Sequence, residues 1–280
     1  MRLTLSEAVR TGTNAIKAIG SEDAGLEART LLLFVTGRSR TDLYTREDDA
    51  LSADEAERFV ALVNERLTGT PLQHLIGTVD FRMITLKCDA RALIPRPDSE
   101  IVVELALEQS DPLTIADLGT GSGCLLLSFL SERLEVTGIG VDADGEALEL
   151  ARENAAQLDL AARTEFFHGS WSAWTGWSDC DLIISNPPYI RSDVIPTLNP
   201  DVRDYDPMAA LDGGPDGLDA YREIIQLGAE QMKTGAHLVL EIGYDQKQQV
   251  TDLLDLAGFR NLQHRQDLGG NDRAIAATKS

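Results

Sequence analysis

The sequence is poor in basic residues. Of its 280 residues, 25 are Lys or Arg and 46 are Asp or Glu, which gives a formal net charge of −21; five are lysine, and no basic run occurs. A surface that binds duplex nucleic acid needs clustered Lys and Arg to displace counterions, so direct nucleic-acid binding is disfavoured. The acidity suits a cationic ligand or a basic protein segment, but a saline habitat or plain solubility explains it equally well.

Cysteine and histidine are also scarce. The three cysteines and four histidines show no paired or clustered spacing, which argues against a disulfide framework and predicts no metal site. No apolar run is long enough to cross a membrane and no signal-peptide pattern is present, so we expect a soluble, cytoplasmic chain. The length favours two domains, and 43% hydrophobic residues supply an adequate core.

Two parts of the chain differ in periodicity. Residues 1–74 predict a small helical domain, in which Ser52 starts a capping-box pattern. Residues 75–92 alternate between apolar and polar side chains and predict a β-hairpin that links this domain to a larger one. From residue 93 to 280, strands and helices alternate, which predicts an open, mostly parallel sheet covered on both faces.

A glycine-rich loop joins a short apolar strand, residues 114–118, to a predicted helix. Glycines let the backbone approach a ligand closely, and the N–H groups of a helix start favour an anion or carboxylate. The spacing G-x-G-x-G fits the dinucleotide fingerprint G-x-G-x-x-G poorly, so NAD is not expected. The predicted ligand-binding residues of this loop are Gly119, Thr120, Gly121, Ser122 and Gly123.

Asp142 ends the next predicted strand, residues 136–141. Its spacing along the chain from the glycine loop is the one at which an acidic residue bonds ribose hydroxyls in nucleoside-binding folds. The same residue is also placed to begin a helix. Taken together, the loop and the acid predict a ligand that contains a nucleoside.

An Asn-Pro-Pro-Tyr tetrapeptide follows a buried strand at residues 181–185. Two prolines fix φ and remove two N–H donors, so the loop presents carbonyls and an Asn amide in a stiff frame. Such a loop accepts hydrogen bonds from a planar NH2 group, which increases electron density on that nitrogen for attack on a carbon. Taken alone, the motif is equally compatible with an ordinary proline turn. Its residues are Asn186, Pro187, Pro188 and Tyr189.

In this order, the three motifs resemble the class I methyltransferases that use S-adenosylmethionine. Two families share the proline loop: nucleic-acid amino methyltransferases and the glutamine methyltransferases of peptide chain release factors. Four further segments resemble the second family (PrmC/HemK), and the resemblance runs from about Leu72 to the last residue; earlier residues match only in helical character. The four segments are residues 77–81, 93–100, 205–218 and 267–273.

This resemblance implies a Rossmann-like α/β fold with a seven-stranded, mostly parallel sheet. Strand order 3-2-1-4-5 would bring Gly121 and Asn186 to one crevice, and residues 273–277 would form the antiparallel last strand. The implied activity is methylation of the glutamine amide nitrogen in the Gly-Gly-Gln motif of bacterial class-1 release factors. S-adenosyl-L-methionine would be the donor and S-adenosyl-L-homocysteine the product. The N-terminal helices would bind the release factor, and a monomer is expected.

The resemblance also assigns roles to individual residues. The Asn186 side-chain oxygen and the Pro187 carbonyl would hold the substrate NH2, with Pro188 stiffening the frame; Asn186 would also border the cofactor. Tyr189 would pack against the planar substrate or serve as an ordinary wall residue. No catalytic histidine is expected, because the amide nitrogen becomes acidic only once methylated.

Other residues have weaker assignments. Trp171 would contact adenine, while Ser170 replaces the acid usual in the family and leaves a serine oxygen to accept from the adenine amine. Glu100 would approach the cofactor amino group or begin a helix. Phe81 and Pro95 would border the substrate channel or simply pack.

Two alternatives remain open from the sequence. The first is an amino methyltransferase that acts on adenine or cytosine, which a basic groove or a target-recognition insertion would support. The second is a noncatalytic binding module of the same fold, which an intact glycine loop and Asn186 disfavour.

Overall fold

The computed structural model describes residues 3–109 and 111–280. Chain contacts divide it into a first unit that ends at Gly77 and a second unit that begins at Thr78. The division lies beyond the predicted residue 74 because helix α5 (Leu72–Ile76) runs through that position and ends at Gly77, whose φ of +77° closes the helix.

The first unit is helical. Its core is built from the apolar faces of its three long helices, with Leu31 and Phe59 among its fully buried side chains. The predicted capping box is confirmed, since the Ser52 hydroxyl accepts from the Glu55 N–H and the Glu55 carboxylate accepts from the Ser52 N–H. The helices preceding α5 are α1 (Leu5–Lys17), α2 (Ala24–Thr36), α3 (Asp42–Thr45) and α4 (Ala53–Leu67).

The predicted β-hairpin is present as β1 (Thr78–Phe81) and β2 (Ile84–Lys87). It is part of the second unit rather than a separate linker. Phe81, Ile84 and Leu86 are buried in the same core cluster as the central sheet, because the apolar side of the alternation faces the sheet's helices.

The second unit contains a seven-stranded sheet with the order β5-β4-β3-β6-β7-β9-β8. Strands β3 to β7 are parallel, and β9 lies antiparallel between β7 and β8. The expected 3-2-1-4-5 order and the antiparallel last strand are therefore confirmed. The strands are β3 (Thr114–Leu118), β4 (Thr137–Asp142), β5 (Thr164–His168), β6 (Leu182–Ser185), β7 (His237–Glu241), β8 (Arg260–Gln266) and β9 (Asp272–Thr278).

Helices cover both faces of this sheet. On β3, Ile115 belongs to a core cluster with α6 and α7, whereas its neighbour Ala116 belongs to the opposite cluster with α10 and α11. The helices of this unit are α6 (Glu100–Leu107), α7 (Cys124–Glu132), α8 (Gly145–Gln157), α9 (Pro200–Arg203), α10 (Asp219–Gln231) and α11 (Lys247–Leu256).

Candidate active site

The carboxyl ends of β3, β4 and β6 meet at one edge of the sheet. Leu118 pairs with Val141 on one side and with Ser185 on the other, so the segments that follow these strands emerge together. They enclose a cavity of about 600 Å³. Eight of the predicted site residues line it: Gly119, Thr120, Gly121, Ser122, Asp142, Trp171, Asn186 and Pro188.

The glycine loop is held in a left-handed backbone conformation. Gly119, Gly121 and Gly123 have φ of +71°, +56° and +82°, values that L-residues with a side chain rarely adopt. The Gly119 and Thr120 N–H groups both donate to the Val141 carbonyl, at 2.8 and 3.1 Å. The loop is thereby fixed to β4 with its backbone against the cavity. Gly123 itself is the N-cap of α7 and does not line the cavity.

Asp142 secures this loop from the next strand. Its Oδ2 accepts from the Gly121 N–H at 2.8 Å and its Oδ1 accepts from the Asp144 N–H at 2.9 Å. Burial raises the pKa of Asp142, and these two backbone bonds oppose the rise. A carboxylate has about four lone-pair positions, so acceptor capacity remains for hydroxyl groups in the cavity.

Sequence reasoning did not single out Asp117, the acid within β3. It is fully buried; Thr120 Oγ1 donates to its Oδ2 at 2.7 Å, and its Oδ1 has no partner among the described residues. Burial raises the pKa of Asp117 to about 7. The sequence signal that could have identified Asp117 is an acidic residue inside a mostly apolar strand.

Trp171 and Ser170 form another part of the cavity wall. The Trp171 ring passes 3.8 Å from the position that a Cβ on Gly119 would occupy. Ser170 Oγ accepts from the Ala173 N–H at 3.2 Å and lies 3.0 Å from the Ser172 hydroxyl. Ser170 therefore stabilises the local turn as well as bordering the cavity.

The proline loop divides into residues that line the cavity and residues that lie behind it. Asn186 and Pro188 line it, whereas Pro187 is buried and Tyr189 packs against the core cluster on the α10 side. The Tyr189 hydroxyl donates to Glu241 Oε1 at 3.3 Å, and burial raises the pKa of Tyr189 well above its usual value. Its expected contact with a planar substrate stays a prediction.

The Asn186 amide is anchored by a residue far away in sequence. Its Nδ2 donates to the Oγ of Ser99, at the start of α6, over 3.3 Å. Ser99 also lines the cavity and was not identified as a site residue from the sequence.

Gly213, in the 205–218 segment, packs closely against the backbone of the proline loop. The Gly213 N–H donates to the Ile190 carbonyl at 2.8 Å, and a Cβ on Gly213 would lie 2.8 Å from both the Pro188 oxygen and the Tyr189 Cα. Buried Gln246 donates from Nε2 to the Tyr189 carbonyl at 3.1 Å. The loop is therefore held by backbone contact with Gly213 and by a hydrogen bond from Gln246.

An ion pair between part-exposed Arg96 and buried Asp206 connects the 93–100 and 205–218 segments. Arg96 Nη2 lies 2.5 Å from Asp206 Oδ2, and the Ile94 N–H donates to Asp206 Oδ1 at 3.3 Å. Pro95 lines the cavity beside this pair. Glu100 does not line it and instead accepts from the Arg82 N–H at 2.9 Å, while Phe81 is buried in the core.

Other chemistries find little support in the described part of the chain. Within residues 3–109 and 111–280, no His, Cys, Asp and Glu side chains gather into a metal-binding group. Cys124 lines the cavity, but burial raises the pKa of its thiol well above the usual value, so it is a poor nucleophile. No helix of the same residues has the length and apolar character to cross a membrane.

Comparison with known proteins identifies the family. Residues 7–77 match the family described as PrmC N-terminal domain, and residues 98–197 match the methyltransferase small domain. The chain is 39% identical to the release factor glutamine methyltransferase of Caulobacter vibrioides, over 100% of this chain and 98% of the relative. It is 40% identical to the protein of that name from Moorella thermoacetica, over 98% of each.

Solved structures agree on the fold. A methyltransferase from Pyrococcus furiosus superposes with a TM-score of 0.53 at 14% identity, covering 70% of this chain and 88% of that one. The second unit therefore has the Rossmann-like methyltransferase fold, and the chain belongs to the release factor glutamine methyltransferase family.

Proposed function

We propose that the protein transfers a methyl group from S-adenosyl-L-methionine to the side-chain amide nitrogen of the glutamine in the Gly-Gly-Gln motif of class-1 release factors. One observation carries this proposal: the Asn186 amide, anchored by Ser99, borders the same cavity as the glycine loop and Asp142. A nucleoside site and an acceptor for a planar NH2 group thus share one space.

The cavity fits the cofactor. The glycines with positive φ place backbone atoms without side chains at the cavity wall, where a ligand can approach closely. Asp142 keeps acceptor capacity for ribose hydroxyls, and the Trp171 ring would stack on adenine. Asp142, Asp144 and Glu223 line the cavity. The two arginines that also line it, Arg91 and Arg96, are each paired with an acid, so the lining favours a positively charged ligand. When bound, S-adenosylmethionine supplies an electrophilic methyl group on a positively charged sulfur and leaves as S-adenosylhomocysteine.

The proline loop activates and orients the amide nitrogen. Asn186 Oδ1 would accept one N–H of the glutamine. Pro187 itself does not line the cavity, so its carbonyl, to which no group among the described residues donates, would have to be reached between the lining residues Asn186 and Pro188 to accept the second N–H. Accepting both N–H bonds concentrates the lone pair on nitrogen and aligns it with the cofactor side of the cavity. Correct alignment alone contributes several kcal/mol, within the roughly 7–11 kcal/mol that positioning can supply.

No strong base is needed before the attack. The amide nitrogen acquires an acidic proton only once the new N–C bond has formed, and water accepts that proton.

The first unit would hold the release factor. Leu26, Phe34 and Tyr44 are exposed on it, and Arg10, Arg29 and Tyr44 line a second, open cavity of about 360 Å³. Exposed aromatic and Arg side chains are the residue types enriched in protein interfaces. A release factor substrate also implies that the methyltransferase is cytoplasmic. We further propose that the methyltransferase acts as a monomer.

The alternatives receive less support. An adenine or cytosine amino methyltransferase shares the proline loop, but a net charge of −21 opposes the phosphate backbone. A noncatalytic module does not require a cavity that combines Asn186, Asp142 and the glycine loop.

The proposal is tested by incubating the protein with radiolabelled S-adenosylmethionine and a purified, unmethylated release factor. Parallel reactions contain a release factor whose Gly-Gly-Gln glutamine is replaced by alanine, or an adenine- and cytosine-containing oligonucleotide. We expect label only on the unaltered release factor. Label on the oligonucleotide alone would establish the amino methyltransferase, and cofactor binding without any transfer would establish a binding module.

A further inference from the structure

Few hydrogen bonds hold the backbone of the proline loop itself. Pro187 and Pro188 have no N–H, and among the described residues no donor bonds the carbonyl of Asn186, Pro187 or Pro188. The positions of these three carbonyls therefore depend on what holds the two ends of the loop. At the first end, Ser185 of β6 pairs with Leu118 in the central sheet.

Gln246 holds the second end of the loop. Its Nε2 donates to the Tyr189 carbonyl at 3.1 Å and to the Gly217 carbonyl at 3.0 Å, while its Oε1 accepts from the Gly243 N–H at 3.0 Å. The side chain is buried at 6% exposure. Turning the amide over would place its oxygen against two carbonyls and its NH2 against an N–H donor, so its orientation is fixed.

The peptide unit between Tyr189 and Ile190 shows what this contact does to the loop. Its N–H, from Ile190, donates to the Leu211 carbonyl at 3.0 Å. Its carbonyl, from Tyr189, is bonded among the described residues by Gln246 alone. Gln246 therefore fixes the free edge of the peptide plane that directly follows Pro188, and so limits where the Pro188 carbonyl can lie.

A second buried amide holds the glycine loop in the same manner. Asn154 of α8 is 0% exposed, and its Nδ2 donates to the Ser122 carbonyl at 3.0 Å and to the Lys87 carbonyl at 3.3 Å. Its Oδ1 accepts from the Lys87 N–H at 2.7 Å. Asn154 thereby fastens the backbone of the glycine loop to the end of β2.

We infer that these two buried amides are positioning residues with separate effects: Gln246 fixes the proline loop for methyl transfer, and Asn154 fixes the glycine loop for cofactor binding. Neither side chain lines the cavity, so each acts through the backbone that it holds. The effect assigned to Gln246 rests on the proposed function, whereas the positions of the two loops are properties of the free protein.

The kinetic test replaces each amide with an apolar side chain of similar size. We expect Gln246→Met to lower the single-turnover rate at saturating cofactor about 10- to 100-fold, because a misplacement of about 1 Å costs that much. Its affinity for S-adenosylhomocysteine should stay within about threefold of wild type. Asn154→Leu should do the opposite and weaken that affinity about 10-fold or more, with a smaller loss of rate, by analogy with outer-shell partners of bound metals.

Two further variants separate positioning from loss of folded protein. Gln248→Met changes an exposed glutamine on α11 and should match wild type in rate and affinity. Gly217→Ala disturbs the same contact with Gln246 in place, because a Cβ there would lie 2.5 Å from the Tyr189 oxygen and 2.7 Å from Gln246 Nε2. It should reproduce the loss of rate seen in Gln246→Met. All rates are normalised to the calorimetric stoichiometry of S-adenosylhomocysteine binding, so unfolded protein does not count.

Hydrogen exchange followed by mass spectrometry tests the loop positions without relying on activity. Peptides that contain residues 189–192 should exchange faster in Gln246→Met, and peptides that contain residues 119–123 should exchange faster in Asn154→Leu, each with the other loop unchanged. A wild-type rate in Gln246→Met, or both loops loosened equally in both variants, would overturn the inference. This exchange pattern in protein that binds cofactor but methylates no release factor would refute the proposed function alone.

Discussion

Asn186 Nδ2 lies 3.3 Å from Ser99 Oγ, although 87 residues separate them in the chain. This hydrogen bond joins the proline loop after β6 to the start of α6, which lies in the family-specific segment at residues 93–100. It leaves only one end of the Asn186 amide free for the cavity. The orientation of the Asn186 amide, the proposed activating group, is thus part of the folded structure before a substrate binds.

Replacing Asn186 with alanine should abolish most of the methyl transfer. The substitution removes one acceptor of a preorganised pair, which by analogy with the loss of one oxyanion-hole donor lowers the rate about 10²- to 10³-fold. Calorimetric affinity for S-adenosylhomocysteine should stay within about threefold of wild type, because the glycine loop and Asp142 are unaffected. An alanine variant with full activity would remove Asn186 from the mechanism.

Substitution of Asp142 should instead impair cofactor binding. Asp142→Ala loses the ribose acceptor and releases the Gly121 N–H, at a cost of about 1.5–3 kcal/mol for hydrogen bonds to a charged group. Asp255→Asn, which changes an exposed acid on α11, is the matched control. Titration calorimetry with S-adenosylhomocysteine measures the difference; equal affinity for the two variants would exclude Asp142 from the cofactor site.

The raised pKa of Asp142 adds a pH dependence to that binding. Because burial raises its pKa, the carboxylate gains a proton at a higher pH than an ordinary aspartate does, and a protonated acid loses acceptor capacity. Affinity for S-adenosylhomocysteine should therefore decrease as the solution is acidified, and less so in Asp142→Asn. Affinities that fall equally in both proteins would assign the pH effect to another group.

Gly213 should be intolerant of even one added methyl group. The new Cβ would lie 2.8 Å from the Pro188 oxygen and the Tyr189 Cα, and backbone atoms cannot yield as a flexible side chain does. We expect Gly213→Ala to displace the proline loop and to cut turnover about 10-fold or more, with little change in cofactor affinity.

Gly25→Ala is the control for this substitution. Gly25 is the second residue of helix α2, and the atom nearest to a Cβ added there belongs to the flexible Arg29 side chain. Alanine there should leave turnover unchanged and raise the melting temperature, because glycine is about 0.5–1 kcal/mol worse than alanine in a helix. If both variants keep wild-type turnover, close contact at Gly213 does not hold the loop.

Cofactor binding should be visible in tryptophan fluorescence. Among the three tryptophans, Trp171 lines the cavity, whereas Trp174 and Trp177 are buried in the core at 5% and 0% exposure. Adenine stacked on Trp171 should quench its emission as S-adenosylhomocysteine is added, and Trp171→Phe should lose most of that change. A quench that persists unaltered in Trp171→Phe would separate Trp171 from the cofactor.

Local sequence patterns predicted the parts of the site that are continuous in the chain. The glycine loop, Asp142 and the proline loop each follow an apolar strand, and parallel strands place their carboxyl ends on one edge. The mostly parallel, two-faced sheet was predictable from the alternation of strands and helices, whereas the strand order and the antiparallel last strand came from the family resemblance.

Long-range polar pairs were not predictable from the sequence. Ser99 contacts Asn186, and Asp206 contacts Arg96, which lies 110 residues away in the sequence. The tertiary fold brings each pair together, and no spacing pattern in the sequence indicates it. The hairpin was predicted as a linker, yet Phe81 and Leu86 are buried in the core of the second unit. Alternation along a strand shows that one face is buried but not which partner covers it.

The central claim concerns a single nitrogen atom, so fragment-ion mass spectrometry of the reacted release factor tests it most directly. After incubation with S-adenosylmethionine, we predict one added methyl group on the Gly-Gly-Gln peptide, located on the glutamine side-chain amide and absent from the Asn186→Ala reaction. A methyl group on any other residue, or an unmodified peptide after prolonged reaction with cofactor-binding protein, would contradict the account.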